Sequence, residues 1–362
     1  MSSSKKPLPS RRRVLASVAA APLASAQVAA QAPSGSLTDV PGIRVGHWTS
    51  ERRPTGCTAI ICEQGAVAGV DVRGGGPGTR ETDLLRPEAT IEKAHAISLS
   101  GGSAYGLATA DGVMRYLEEK GIGFRAGRSV VPIVPAAILF DLGIGDGSIR
   151  PDRESGYAAA KAATADPVEQ GSIGAGAGAT VGKMLGASRA MKGGLGSASL
   201  ELPDGAVIGA LAAVNALGDV VDPNTGELLA GARNEDGTGL ANASEALRRG
   251  FGFGGARPGE NTTIAVVAAN VDWTQSQATK VAQMAQDGLA RAIRPVHMPF
   301  DGDVVFALGT GGASVDTTRL GLLGALAADV LAFAIIAAVQ NARSLPGRPA
   351  WRDLQPDSSA AR

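Results

Sequence analysis

Apolar positions along the chain change period several times, and each change predicts an element. Short β-branched or alternating runs predict buried strands at 94–99, 193–202, 206–215, 264–269 and 304–308. Two further runs, Gly56 to Ile61 and Ala66 to Val72, read as a hairpin, and Val130 to Leu142 as a strand candidate interrupted by Pro132 and Pro135. Pro203-Asp204-Gly205 supplies the turn between the runs at 193–202 and 206–215. Helical spacing covers 104–120, 153–165, 274–292 and 320–342, with Ser103 as the predicted N-cap of the first and a short helix at Asn242 to Arg249. Hairpins and helices are interspersed, which predicts α/β or α+β layers and not a strict βαβ array. The segment 231–259 is polar, Gly-rich and linker-like, and the Pro-rich polar tail from 344 to 362 is predicted to be disordered. The helix at 320–342 is long enough to span a membrane. Asp329 at its middle and its Ala/Gly richness argue for a buried core or subunit-interface helix, so no stable membrane association is expected after export.

The N-terminus follows another pattern. Lys5 and Lys6 precede Ser10-Arg11-Arg12-Arg13-Val14-Leu15, then a small-residue apolar stretch to Ala24, then two A-x-A sequences, Ala24-Ser25-Ala26 and Ala30-Gln31-Ala32. That order predicts a twin-arginine-type export signal over 1–32, a single domain over 33–343, and a periplasmic or secreted location.

Composition narrows the function classes. The 362 residues suffice for one large domain or two average ones. Lys+Arg and Asp+Glu both total 34, and aromatics are 4%, so neither a basic field nor a stacking surface for nucleic acid is implied. Cys57 and Cys62 fall on opposite faces of a strand, which argues against a disulfide between them, and a lone Cys-x4-Cys is a poor zinc signal. The three histidines, His47, His95 and His297, sit in no metal spacing, and no cofactor is called for.

The candidate chemistry lies in four stretches. Gly74 to Asp83 is a glycine loop without a P-loop ending, either lining a cleft or making a plain turn. Gly174-Ala175-Gly176-Ala177-Gly178-Ala179-Thr180-Val181-Gly182-Lys183 fits neither the dinucleotide fingerprint nor the P-loop. Its terminal Lys183 is either a solvated group or a cation aimed into a site. Asp301 and Asp303 enter a buried strand, as solvated turn carboxylates or as acid/base or orienting groups. Asn261-Thr262-Thr263 joins a Gly/Pro-rich loop to another buried strand, a good position for a nucleophile and an ordinary one for threonine.

Together and in this order, Asn261-Thr262-Thr263, the Leu99-Ser100-Gly101-Gly102-Ser103-Ala104-Tyr105-Gly106-Leu107 segment, the Gly-Ala run ending in Lys183, and Phe300-Asp301-Gly302-Asp303 resemble the P1 (DmpA-like, S58) family of self-processing amidohydrolases. That family includes aminopeptidases and nylon-oligomer hydrolases. The resemblance covers about Leu37 to Ala342. It implies a four-layer αββα sandwich of the α/β class, N-terminal-nucleophile-like, and a precursor cut between Asn261 and Thr262. It implies Thr262 as nucleophile, Lys183 as a nearby positive charge, Asn215 as an oxyanion donor, and Asp301 and Asp303 as groups orienting the nucleophile and its amine. Tyr105 and Phe140 become substrate-binding candidates, Phe140 standing where relatives often have tyrosine. The implied activity is release of N-terminal residues from small peptides, amides or esters. Threonine with Asp-Gly-Asp looks more like the 6-aminohexanoate-oligomer hydrolase branch, which is the alternative. An inactive binding protein with the same fold is an alternative of another class. The family also implies a homo-oligomer of processed heterodimers.

Overall fold

The computed structural model describes residues 32–250 and 259–355. The expected export signal lies outside them, except for Ala32. The long hydrogen-bonded strands are β1 (Arg44–Thr49), β2 (Gly56–Val72), β4 (Lys93–Ser100), β6 (Gly194–Glu201), β7 (Val207–Asn215), β8 (Thr262–Asp272) and β9 (Val304–Ser314). With the short β3 (Thr79–Arg80) and β5 (Ala136–Ile138) they form a nine-stranded sheet in the order β6-β7-β8-β9-β2-β4-β5-β3, β1 pairing with β2. The pairs β8–β9 and β4–β5 are parallel and the others antiparallel.

Period-2 alternation turns this sheet into layers. On β8 and β9, Ile264, Val266, Ala268, Val304, Phe306 and Leu308 enter an inner core, together with Ile60, Ile97 and Leu99 from β2 and β4. The alternate residues Ala265, Val267, Val305 and Ala307 face an outer core under α4 (Gln275–Ala292) and α5 (Thr317–Gln340). On the other side Cys57, Ala59, Ile61 and Ala96 pack under α1 (Thr109–Glu119) and α2 (Arg153–Lys161). Helix, sheet, sheet, helix is the αββα sandwich. Strands buried on both faces explain why their sequences are continuous apolar runs.

The helices start where the sequence supplies caps. Asp152 accepts the Ser155 N–H at 2.9 Å for α2, and Asp316 accepts the Arg319 N–H at 2.7 Å for α5. The short α3 (Ala243–Arg248) follows Asn242, whose Oδ1 accepts the Glu245 N–H at 3.1 Å, and at α4 Thr274 and Gln277 form a reciprocal capping box. Helix α5 lies against β6, β7 and α4, and its central Asp329 pairs with Arg291 of α4. It is a core helix of the domain.

Four local expectations fail for identifiable reasons. The predicted hairpin over 56–72 is one strand. A bulge between Ile61 and Ala66 absorbs the extra residues, with Gly65 at φ 71. The run 130–142 yields only short strands at Ser129–Val131 and Ala136–Ile138, Pro132 and Pro135 lying in the break between them. Ser103 is not a cap: it has φ 54 and opens a 3-10 turn, Ser103–Ala108, ahead of α1. Of the tail expected to be disordered over 344–362, residues 344–355 fold against the domain, and 356–362 lie outside the described residues. The Lys192 N–H donates to the Pro349 carbonyl at 2.9 Å, and Trp351–Leu354 forms a 3-10 turn. Cys57 and Cys62 are free and buried, in different cores.

Candidate active site

Strand register assembles the site. Asn215, the last residue of β7, pairs with Thr262, the first of β8. In the parallel β8–β9 pair Ile264 faces Val304, and just outside it Asn261 and Asp301 form a bridge. Asn215, Asn261, Thr262, Asp301 and Asp303 thus converge from three strands, and each is 3% exposed or less.

The hydroxyl of Thr262 donates to the carbonyl oxygen of its own neighbour, Asn261, at 2.5 Å. The same carbonyl accepts the Gly302 N–H at 2.8 Å. Glycine is required there: a Cβ at 302 would stand 2.7 Å from Thr262 Oγ1 and 2.9 Å from the Gly76 carbonyl. The glycine loop at 74–78 braces this turn, with Gly76 N–H on the Asp301 carbonyl at 2.7 Å and Gly74 N–H on that of Asp303 at 3.2 Å. Of its two readings, cleft-lining or plain turn, the structure supports a third, a support beneath the site.

Lys183 and Asn215 hold the carbonyl one residue upstream. Lys183 Nζ donates to the Asn215 backbone carbonyl (2.8 Å), to Asn215 Oδ1 (2.9 Å) and to the Glu260 carbonyl (3.0 Å). Asn215 Nδ2 donates to the carbonyls of Phe140 (3.0 Å) and Glu260 (3.2 Å). With the chain continuous, Asn215 therefore does not touch the Asn261 carbonyl; the Gly302 N–H fills that role. Burial lowers the Lys183 ammonium to about 7, against the opposing pull of Asp301 and Glu260.

The aspartates act through the backbone. Asp303 Oδ1 accepts the Thr263 N–H at 2.8 Å, and Asp301 Oδ2 accepts that of Met298 at 2.9 Å. Neither carboxylate bonds the Thr262 hydroxyl, whose partner is the Asn261 carbonyl. Burial, and secondarily the charge of Asp303, pushes Asp301 up to about 7. Four buried polar atoms around this one peptide bond lack partners: Asn261 Nδ2, Thr263 Oγ1, His297 Nε2 and Asp301 Oδ1. Such a concentration is uncommon away from functional sites.

His297 was not a sequence candidate, yet its Nδ1 lies 2.9 Å from Asp303 Oδ2, and its N–H donates to the same oxygen at 3.2 Å. Its place in the turn that delivers Asp301 was the available signal. Of the two substrate-binding candidates, Phe140 lines a cavity of about 370 Å³ that also touches Leu142, Ile144, Thr180, Lys183, Glu260 and Arg348. Tyr105 does not. It stands on the outward 3-10 turn, 59% exposed, with the Arg150 guanidinium 3.7 Å above its ring. The cavity wall from Phe140 to Ile144 is pinned by Arg53, fully buried against Asp141 at 2.7 Å and donating to the carbonyls of Ile144 (2.6 Å) and Ile149 (2.8 Å). Among the described residues no group of three or more His, Cys, Asp and Glu gathers as a metal site. The groups assembled are a hydroxyl, an amine, carboxylates and N–H donors.

A family model, peptidase family S58, matches residues 35–351. The chain belongs to peptidase family S58. As an S58 member it is a hydrolase of peptide or amide bonds. It is 43% identical over 351 residues to an uncharacterised aminopeptidase of Mycobacterium tuberculosis (strain H37Rv), covering 89% of this chain and 98% of the relative. It is 30% identical over 316 residues to the 6-aminohexanoate-oligomer endohydrolase of Kocuria sp. (strain KY2), covering 83% and 85%. Among solved structures, a Burkholderia sp. beta-aminopeptidase superposes with TM-score 0.64 at 23% identity, covering 86% of this S58 chain and 88% of that one. The L-aminopeptidase D-Ala-esterase/amidase of Ochrobactrum anthropi, described as a variant of the Ntn hydrolase fold, gives 0.65 at 18% identity, covering 86% and 87%.

Proposed function

We propose that this S58 hydrolase is an aminopeptidase that forms its own nucleophile by cleaving the Asn261–Thr262 bond. The observation that carries the reading is the pair of contacts on the Asn261 carbonyl: the Thr262 hydroxyl at 2.5 Å and the Gly302 N–H at 2.8 Å. Attack of Thr262 Oγ1 on the Asn261 carbonyl carbon forms a tetrahedral adduct as the hydroxyl gives up its proton. The negative charge on the carbonyl oxygen is met by the Gly302 N–H. The C–N bond then breaks, leaving Asn261 as an ester on Thr262 Oγ1, and the Thr262 nitrogen takes the proton that the hydroxyl gave up, becoming an α-amine. Water hydrolyses the ester, leaving a carboxylate on Asn261. The freed amine, with an ordinary pKa of about 7.7–8.0, serves as the general base for the Thr262 hydroxyl in later turnovers. Once Glu260 withdraws, Lys183 and Asn215 lose one carbonyl partner and become donors for a substrate oxyanion. Asp303, through the Thr263 N–H, keeps the start of β8 in place.

The substrate class in this reading is small peptides, amides or esters with a free N-terminus, as the names of the aminopeptidase relatives suggest. A second reading, hydrolysis of 6-aminohexanoate oligomers, is favoured by the 30% identical endohydrolases and by threonine with Asp-Gly-Asp at the site. We extend the proposal to export through the 1–32 segment and to assembly of processed heterodimers into a homo-oligomer. Denaturing electrophoresis with N-terminal sequencing tests the mechanism. Wild type is expected as two chains, the smaller beginning at Thr262, and Thr262→Ala as one uncut, inactive chain. Purified wild type that stays a single chain overturns self-processing. A panel of amino-acid p-nitroanilides against 6-aminohexanoate oligomers separates the substrate readings, and hydrolysis of oligomers alone sinks the aminopeptidase.

A further inference from the structure

The cavity beside the scissile bond has an unusual charge inventory. Two cations line it, Lys183 and Arg348. Two carboxylates line it as well, Asp141 and Glu260. Asp141 is already spent: Arg53 pairs with its Oδ1 at 2.7 Å, Thr55 donates to Oδ2 at 2.6 Å, and the Gly102 N–H donates to Oδ1 at 2.9 Å. Glu260 lies just before the bond that is cut, so it leaves the cavity wall when the new chain end withdraws.

Arg348 is held in place but not neutralised. Leu345 and Arg348 exchange backbone hydrogen bonds of 3.0 and 2.8 Å across a turn. The turn is tied down by the Lys192 N–H on the Pro349 carbonyl and by the Ala350 N–H on Ser344 Oγ at 3.1 Å. The half-buried guanidinium donates to the Gly347 carbonyl at 2.9 Å, and no carboxylate among the described residues pairs with it. The charges it senses or is sensed by, Arg233 and Lys183, are of like sign. A planar guanidinium fixed at a cavity wall without a counter-ion is complementary to a carboxylate. Apart from the Thr180 hydroxyl the remaining walls, Phe140, Leu142, Ile144, Ala187 and Ala190, are apolar, and the volume of about 370 Å³ suits a ligand of roughly dipeptide size.

We infer that Arg348, delivered by the C-terminal tail, is a specificity-determining residue that binds a carboxylate of the substrate, so that the processed enzyme prefers short acidic or free-acid peptides. The inference rests on the self-processing reading, because Glu260 must leave before the subsite is free. The carboxylate has two possible sources, an N-terminal Glu side chain or the C-terminus of a dipeptide.

Two matched pairs of substrates distinguish the sources. Glu-p-nitroanilide against Gln-p-nitroanilide reads the side chain, and Ala-Gly against Ala-Gly-amide reads the C-terminus. Wild type is expected to favour the carboxylate member of at least one pair by tenfold or more in kcat/KM. Arg348→Gln is expected to cut that ratio at least fivefold, mainly through KM, and Arg348→Lys to restore part of it. Equal rates within both pairs for wild type, or an unchanged ratio in Arg348→Gln, overturn the inference. A gel run on each sample reports processing separately, so failure of self-cleavage is seen as a single chain. If neither pair is hydrolysed, equilibrium binding of Ala-Gly and Ala-Gly-amide to both proteins replaces the kinetics. Binding of the acid that Arg348→Gln loses then supports the subsite, and no difference between acid and amide removes it.

Discussion

Lys183 and Lys192 have nearly the same surroundings and different jobs. Each ammonium donates to three carbonyl or amide oxygens. For Lys183 these are two on Asn215 and one on Glu260; for Lys192 they are the carbonyls of Gly176 (2.9 Å), Ala179 (3.0 Å) and Gly193 (2.8 Å). Burial lowers both to about 7. The difference lies in the permanence of the partners. All three partners of Lys192 belong to the Gly-Ala run and the chain beside β6, and its side chain is fully buried. It is a clamp for a segment that has too few side chains to hold itself. Lys183 lines the cavity, feels the charge of Asp301, and holds the carbonyl of Glu260, one residue before the bond we propose is cut. Hydrogen-bond geometry alone would not tell the two lysines apart; their place relative to the Asn261–Thr262 bond does.

Substitution should separate them further. The largest effect is expected from Lys183→Met, which removes the donor to the Glu260 carbonyl and the amine beside Asp301. Processing, followed as precursor loss on a gel, should slow about 100-fold or more, while the thermal midpoint moves by only a few degrees. Lys192→Met should do the reverse. It takes the ammonium from three buried carbonyls, of which Gly176 keeps the Ala179 N–H at 3.2 Å and Ala179 keeps the Gly193 N–H at 2.9 Å, at a cost of about 1–3 kcal/mol, read by denaturant unfolding. The processing rate per folded molecule should stay within roughly tenfold of wild type. If Lys183→Met instead unfolds the protein and Lys192→Met blocks processing at full stability, the assignment is inverted.

A smaller effect concerns pH. Asp301 is raised to about 7 from an ordinary 3.8, so the folded chain keeps its proton through the acidic range; Lys183 is lowered to about 7 from 10.5, so it sheds its proton early. Both groups therefore become proton acceptors as pH rises through about 7. Precursor cleavage is expected to be about tenfold faster at pH 8 than at pH 6, and a rate independent of pH would remove these groups from the proton path. Smaller still, Glu260→Gln keeps the carbonyl that Lys183 holds but removes a charge that raises the lysine. The midpoint of the pH profile should move down by roughly 0.3 pH or less.

Much of this site was legible in the chain, and its gaps have a common cause. Thr262, Asn215, Asp301 and Asp303 lie at the ends of strands whose apolar runs are unmistakable, so motif and element agreed. His297 and Arg348 sit in turns without periodicity, and Gly302 was read only as part of a motif. What those residues do depends on the partner segment each turn meets. Tyr105 failed the opposite way: it belongs to a recognisable motif, but the 3-10 turn carrying it points outward under Arg150. The hairpin expected at 56–72 shows the same limit. Gly65 is as compatible with a bulge as with a turn, and only pairing with β4 and β9 selects the bulge.

The apolar strands, the helical runs and the junction at Asn261–Thr262 could be read from the chain, because they depend on local period and on hydroxyl and amide chemistry. The tertiary structure decided which N–H meets the Asn261 carbonyl, which lysine faces the cavity, and that the C-terminal tail brings a guanidinium to its wall. Those outcomes depend on strand register and on contacts between segments far apart in the chain, and no local pattern encodes a distance across the fold.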